Sequence, residues 1–221
     1  MRRRALIDLE ALAANLRDAD ADVLDARADA YGHGLAIVAP LAREVGIGTL
    51  LVSTEREAAT AAAAGHEVLI GRMSSAEIPD ATIAFGVDGT HRPVMTVSGE
   101  LIATKHVPAG AGVSYGYTFR TSRPTTLGLV GLGYADGIPR LGSNRAHLAI
   151  DGARYPLVGR IAMDQFVIDL GDAEAHAGAE VVVFGDPAEG APTAREWAVW
   201  TERTPLAVTA GLGHRIRREA R

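Results

Sequence analysis

Val23-Leu24-Asp25-Ala26-Arg27-Ala28-Asp29-Ala30-Tyr31-Gly32-His33-Gly34-Leu35 changes character twice along its length. Its apolar start reads as a short strand over residues 23–28. A Gly32-His33-Gly34 loop follows, and Leu35, Val38, Ala39 and Ala42 then recur at helical spacing. Pro40 falls inside that stripe, which predicts a kinked or late-starting helix. Strand, glycine loop and helix make one βα unit. The flanking sequence repeats the pattern: a strand at 5–9, a helix at 9–17 capped by Asp8, a buried strand at 49–52, and Thr54-Glu55-Arg56-Glu57 as a capping box. An alanine-rich helix then runs to Gly65, and another strand covers 68–71. Alternating strands and helices predict parallel βαβ packing.

Beyond about Ser74 helical periodicity disappears until Thr193. Strand-like runs at 94–97, 127–132, 147–150, 166–170 and 181–184 are separated by Gly, Pro and Asp, which predicts an antiparallel β-domain. One short helix is expected at 193–200. The boundary falls between Val87 and Pro93, giving an α/β lobe at 1–90 and a β-domain at 91–221.

The 221 residues suffice for one domain or two small ones. With 48% hydrophobic and 22% charged residues, the chain reads as globular and soluble rather than disordered. No apolar run approaches a membrane span, and Asp8 and Glu10 interrupt the stretch after Met1-Arg2-Arg3-Arg4, which argues against a signal peptide. There is no cysteine, so disulfides and thiolate metal sites are excluded, and the expected compartment is the cytoplasm. A net charge of -5 without long runs of one sign predicts no nucleic-acid surface. Residues 215–221 hold four arginines, read as a solvated tail. The histidines show no metal-ligand spacing, and there is no Walker loop or nucleophile elbow. Lys105 is the only lysine, so any chemistry that needs a side-chain amine must use it.

Three stretches resemble the alanine racemases, fold-type III pyridoxal-phosphate enzymes. They are Ile7-Asp8-Leu9-Glu10-Ala11-Leu12-Ala13-Ala14-Asn15-Leu16, then Ala28-Asp29-Ala30-Tyr31-Gly32-His33-Gly34, and finally residues 92–215. The last contains Gly112-Val113-Ser114-Tyr115-Gly116, Gly133-Tyr134-Ala135-Asp136-Gly137 and Gly159-Arg160-Ile161-Ala162-Met163-Asp164-Gln165. The resemblance implies a (β/α)8 barrel followed by a β-domain, with an active site at the barrel mouth completed by the partner subunit. Here the β-domain reads as intact. Only about three βα units precede Gly71, and residues 72–91 are too few for five more, since each crossover needs a dozen residues or so. The expected fold is therefore α/β plus all-β: a truncated remnant of the barrel followed by an antiparallel β-barrel-like domain. Ile83-Ala84-Phe85-Gly86-Val87 reads as its last barrel strand.

By the same resemblance, the residue before Ala28 should be the lysine that holds the cofactor as an imine. It is Arg27. A guanidinium stays protonated and is no imine-forming amine. Lys105 is expected to be a solvent-facing strand residue. The phosphate loops would lie in the missing barrel portion, and Leu206 stands where the family has a late tyrosine. The resemblance thus implies a chain without pyridoxal phosphate.

Tyr115 matches the family's catalytic tyrosine. It reads either as a surviving proton-transfer group, helped by the cation of Arg27, or as a packing relic. Tyr31, Tyr134, Met163 and Asp164 match pocket-lining residues. His33 is a substrate-site candidate or a helix-start packing residue, while Asp29 and Asp136 read as turn residues. The expected catalytic set is Tyr115, Arg27 and Tyr31, with His33, Tyr134, Met163 and Asp164 binding a small-molecule substrate and no metal. A homodimer is expected, with Tyr115 facing the partner's segment 27–34. Two functions stay open: a cofactor-independent isomerase, epimerase or cyclase, and an inert homologue that binds a ligand or partner protein.

Overall fold

The structure is a computed structural model and describes residues 2–71 and 80–221. The chain opens with β1 (Arg3–Ile7) and α1 (Leu9–Asp18). Asp8 caps α1 by accepting from the Ala11 N–H at 2.8 Å, as its sequence position predicts. Then come β2 (Val23–Asp25), the short turn α2 (Arg27–Tyr31), α3 (Leu35–Glu44), β3 (Thr49–Val52), α4 (Glu55–Ala63) and β4 (Glu67–Ile70). The Thr54–Glu57 capping box forms at the start of α4 with both of its bonds. Pro40 sits inside α3 without ending it. Strands β2, β3 and β4 pair in parallel, so the predicted βαβ packing is observed for these three, while β1 does not join their sheet. The reading that residues 72–91 are too short for further βα units falls partly on 72–79, which lie outside the described residues.

The remainder is built on α5 (Ala81–Ala84), β5 (Met95–Val107), β6 (Gly112–Val113), β7 (Phe119–Arg120), β8 (Thr125–Val130), β9 (His147–Ile150), β10 (Ala153–Val158), β11 (Phe166–Gly171) and β12 (Glu180–Phe184). It ends with α6 (Ala194–Thr201), α7 (Pro205–Ala210) and β13 (Arg217–Ala220). Strands β12, β9, β10, β11, β8 and β5 are neighbours in that order, and β5 also pairs with β12, which closes a six-stranded antiparallel barrel. The long β5 makes closure possible. Its first half pairs with β12 and its second half with β8, with a register shift between Leu101 and Ala103. One buried apolar cluster runs from Leu12 and Val38 through Phe85 to Phe166 and Trp197, joining the lobe to the barrel.

Three sequence expectations need correction. Residues 83–87 do not form a strand: Asp80 caps Thr82, the Phe85 N–H closes on the Ala81 carbonyl, and a helical turn results. Residues 215–221 are not a solvated tail. β13 pairs in parallel with β1, which in turn lies antiparallel to β5. Arg218 is half-buried and donates to the carbonyls of Gly32, Leu212, Gly213 and Ile216. Finally, α7 follows the expected α6 helix, started by the Thr204 cap and Pro205.

Candidate functional site

Asp25 ends β2, two residues before Arg27, and their side chains meet. Arg27 Nε donates to Asp25 Oδ1 at 2.8 Å and Nη2 donates to Oδ2 at 2.5 Å, a two-pronged fork. The Tyr31 hydroxyl donates to the same Oδ2 at 2.7 Å. The Asp25 side chain is buried, while the Arg27 side chain is one-third exposed. Burial would raise the Asp25 carboxyl, but the hydrogen bonds from Arg27 and Tyr31 outweigh it and hold the carboxyl below its ordinary range. The same fork raises Arg27 further above its ordinary value. Burial and the bond to Asp25 push the Tyr31 phenol up to about 12, so it stays a neutral donor.

The turn that carries these groups is left-handed. Ala28, Asp29, Ala30 and Tyr31 all have φ between 50° and 56°, which costs roughly 1–2 kcal/mol per residue for side chains with a Cβ. Surrounding bonds hold it. The Ala28 N–H donates to Ser53 Oγ at 3.2 Å and the Asp29 N–H to Glu57 Oε1 at 2.7 Å. Asp29 accepts from the Leu35 N–H at 2.7 Å, which starts α3. Gly32 must be glycine: its φ is 81°, and a Cβ there would sit 2.2 Å from the Thr209 carbonyl oxygen in α7.

His33 has no exposed surface. Its ring stacks on Phe85 at 4.3 Å, and Nδ1 donates to the Ala30 carbonyl at 2.9 Å. Burial pushes its pKa down to about 4, so the ring is neutral at physiological pH. It packs beneath the turn that carries Tyr31 and Arg27.

The other candidates lie on the barrel domain. Tyr115 opens a 3₁₀ turn (Tyr115–Tyr117) between β6 and β7. Ser114, at φ 58°, anchors the turn by donating to the Arg160 carbonyl at 2.7 Å. Tyr117 closes over Gly112, where a Cβ would come within 2.4 Å of its ring. This leaves the Tyr115 side chain 68% exposed. Backbone bonds from Tyr134 to Ala162 and from Ala135 to Met163, both 3.0 Å, zip two loops together. Tyr134, Met163 and Asp164 thereby share one surface. Asp164 accepts from Arg215 Nη2 at 2.7 Å, and the Arg140 guanidinium stands 5.4 Å from the centre of the Tyr134 ring. Tyr134 also lines a cavity of about 440 Å³ with Arg140, Arg203 and Gly211.

The structure therefore assembles two groups: Asp25, Arg27, Tyr31 and His33 in the lobe, and Tyr115, Tyr134, Met163 and Asp164 on the barrel. Among the described residues no hydrogen bond, ion pair or ring contact links the two groups within one chain. Lys105 is exposed on β5 in register with Leu127, as expected. Sequence reasoning missed Asp25. The available signal was its nearness, an acidic residue two positions before the arginine.

The family model described as "Alanine racemase, C-terminal domain" matches residues 94–220, and "Alanine racemase, N-terminal domain" matches 7–99. The alanine racemase of Streptomyces coelicolor is 46% identical over 140 residues, covering 63% of this chain and 36% of the relative. That of Mycolicibacterium vanbaalenii is 50% identical over 109 residues, covering 48% and 28%. The chain thus spans about a third of the length of the curated relatives it matches. The solved alanine racemase of Streptomyces coelicolor superposes with a TM-score of 0.86 at 26% identity, covering 99% of this chain and 98% of that one. The enzyme from D-cycloserine-producing Streptomyces lavendulae gives 0.87 at 26%, covering 100% and 97%. A Bartonella henselae alanine racemase with covalently bound pyridoxal phosphate shares the fold at 20% identity and a TM-score of 0.86, covering all of both chains. With its two domain models running between them from residue 7 to residue 220, this chain belongs to the alanine racemase family.

Proposed function

We propose that this chain has given up pyridoxal-phosphate racemisation and acts as a cofactor-independent acid/base enzyme, of the isomerase, epimerase or cyclase type, on a small metabolite. The observation that carries the first half is the fork between Arg27 and Asp25. Imine formation needs a neutral amine, and a guanidinium locked onto a carboxylate offers none. Lys105 stands exposed on the outer half of β5, in the other domain from Arg27. The residues present do not fit a covalently held pyridoxal phosphate.

On this reading the lobe is a shortened barrel. The chain covers a third of its curated relatives yet superposes on a solved relative from end to end, and its described parallel sheet has three strands. Loss of inner βα units fits these observations together. The working unit is a homodimer in which Tyr115 of one copy faces the partner's segment 27–34. The exposure of Tyr115, Tyr117 and Met163, at 68%, 61% and 53%, supports a surface built to be covered.

In that arrangement Tyr115 moves the proton. Tyr31, held neutral and oriented by Asp25, offers its hydroxyl oxygen as a hydrogen-bond acceptor. Arg27 is a fixed cation whose Nη1 edge is not spent on Asp25 and can hold an anionic substrate. Tyr134, Met163 and Asp164 wall the pocket, and His33 supports it from beneath. Incubation in D2O with a panel of small amino and keto acids, followed by NMR, reads the proton transfer. Tyr115→Phe should slow any exchange found by about 10²-fold or more, and an unchanged rate removes Tyr115 from the mechanism.

A second reading, an inert homologue that binds a ligand or partner protein, is favoured by the Tyr31–Asp25 bond, which ties up a phenol proton. Saturable ligand binding with no exchange on any panel member would select it.

A further inference from the structure

The sequence places arginines at both ends of the described chain, and the fold brings them together. Parallel pairing of β1 with β13 sets Arg4 in register with Arg217. A cavity of about 480 Å³ lies there, lined by Arg2, Arg3, Arg4, Arg215, Arg217 and Glu219. Five guanidinium groups face one carboxylate across this space. Like charges held side by side in a sheet oppose folding unless something neutralises them.

Carboxylates behind the cavity neutralise part of this charge and fix the geometry. Arg4 donates to both Glu180 oxygens, at 2.8 and 3.0 Å. Arg3 Nη1 and Arg215 Nε share the fully buried Asp136 Oδ1, at 3.2 and 3.1 Å. Arg215 Nη2 also binds Asp164, and Arg3 Nε donates to the Gly131 carbonyl at 2.8 Å. For Arg4 and Arg215 these bonds use only the Nε–Nη2 edge of the fork. The Nη1 group of each is left unspent. A guanidinium clamped on one side and open on the other is preorganised for a second oxyanion, because little side-chain freedom remains to be lost on binding.

We propose that this cavity binds a small oligophosphate, either inorganic pyrophosphate or the phosphate tail of a nucleotide. Several fixed forks around one space match the several oxygens of a multiply charged phosphate chain, whereas a single carboxylate would satisfy only one of them. The volume lies within the range of small-molecule sites, roughly 300–1,000 Å³. The site is separate from the Arg27–Tyr31 group and does not depend on the proposed chemistry there.

Isothermal titration of the full chain with sodium pyrophosphate tests this. One saturable site per chain is expected, weakened severalfold when sodium chloride is raised from about 0.05 to 0.15 M, as screened charge pairs require. Arg217→Ser combined with Arg2→Ser should weaken binding at least about tenfold, the scale of one lost charge-assisted bond. Glu219→Gln should tighten binding severalfold, an opposite sign that damage to the fold cannot mimic. Adenosine triphosphate binding tighter than pyrophosphate points to a nucleotide as the source, and equal affinity points to the inorganic ion. The proposal is overturned by absent saturation, by sulfate binding as tightly as pyrophosphate, or by an R2S/R217S variant that binds like the parent.

Discussion

The barrel and the parallel sheet solve the problem of strand edges in different ways. In the barrel, β5 pairs with β8 on one flank and β12 on the other, so six strands leave no open edge. In the parallel sheet only β3 has a neighbour on each side; β2 and β4 pair on one side among the described residues. β4 leaves Leu69 and Ile70 38% and 47% exposed. Closure makes the barrel self-sufficient. The lobe instead leans on its contacts with the rest of the chain: Gly32 against Thr209, and Arg218 on the Gly32 carbonyl. Arg27 thus sits in the less self-contained half, at the start of a strained turn held by neighbours.

If the barrel carries the stability, its core should be the costliest place to cut. Trp197 is fully buried and donates from Nε1 to the Val183 carbonyl at 2.6 Å. Trp197→Ala should remove about 4 kcal/mol, read as a lower urea midpoint for the whole molecule. A loss below about 1 kcal/mol would show that the barrel is not the keystone.

The lobe should respond to acid before the barrel does. The folded His33 ring titrates near 4, against about 6.5 in the unfolded chain. The unfolded state therefore binds more protons between these values. The neutral ring's contribution is complete above about pH 6.5 and declines as pH falls towards 4, by about 3 kcal/mol at most. Thermal melts from pH 7 to 4.5 should show this slope, and His33→Gln should flatten it. An equally steep slope in the variant would place the titration elsewhere.

The smallest effect expected is local. Thr54→Ala removes the side chain that accepts from the Glu57 N–H at 3.2 Å, at a cost of about 1 kcal/mol. Hydrogen exchange should quicken in α4 and in the Asp29 amide that Glu57 holds, and barrel amides should not change. Uniform quickening would mean the two halves open as one unit.

Local signals in the sequence found local structure. The Thr54 capping box, the Asp8 cap and the strand-like runs of β9, β11 and β12, bounded by Gly, Pro and Asp, all act within a few residues, and each was legible. Long-range partners were not. Nothing near Arg217 tells that it lies beside Arg4, so the arginine-rich end read as solvated when it is a strand. Residues 83–87 carry an apolar run that suits either a strand or a helical turn, and the Asp80 cap decided it. The arginine at position 27 was visible, but the guanidinium's partner was not. Asp25 meets Arg27 across the bend where β2 gives way to α2, and the left-handed turn from Ala28 to Tyr31 contains no glycine to announce it.

Whether position 27 can hold a carbonyl cofactor decides the chemistry open to this chain. The direct measurement is incubation of the purified chain with pyridoxal phosphate, borohydride reduction, and peptide mass mapping beside a visible spectrum. The expected result is no saturable imine band and no reduced pyridoxyl group anywhere in residues 1–90. Stoichiometric pyridoxyl labelling of this chain, accompanied by interconversion of D- and L-alanine, would contradict it.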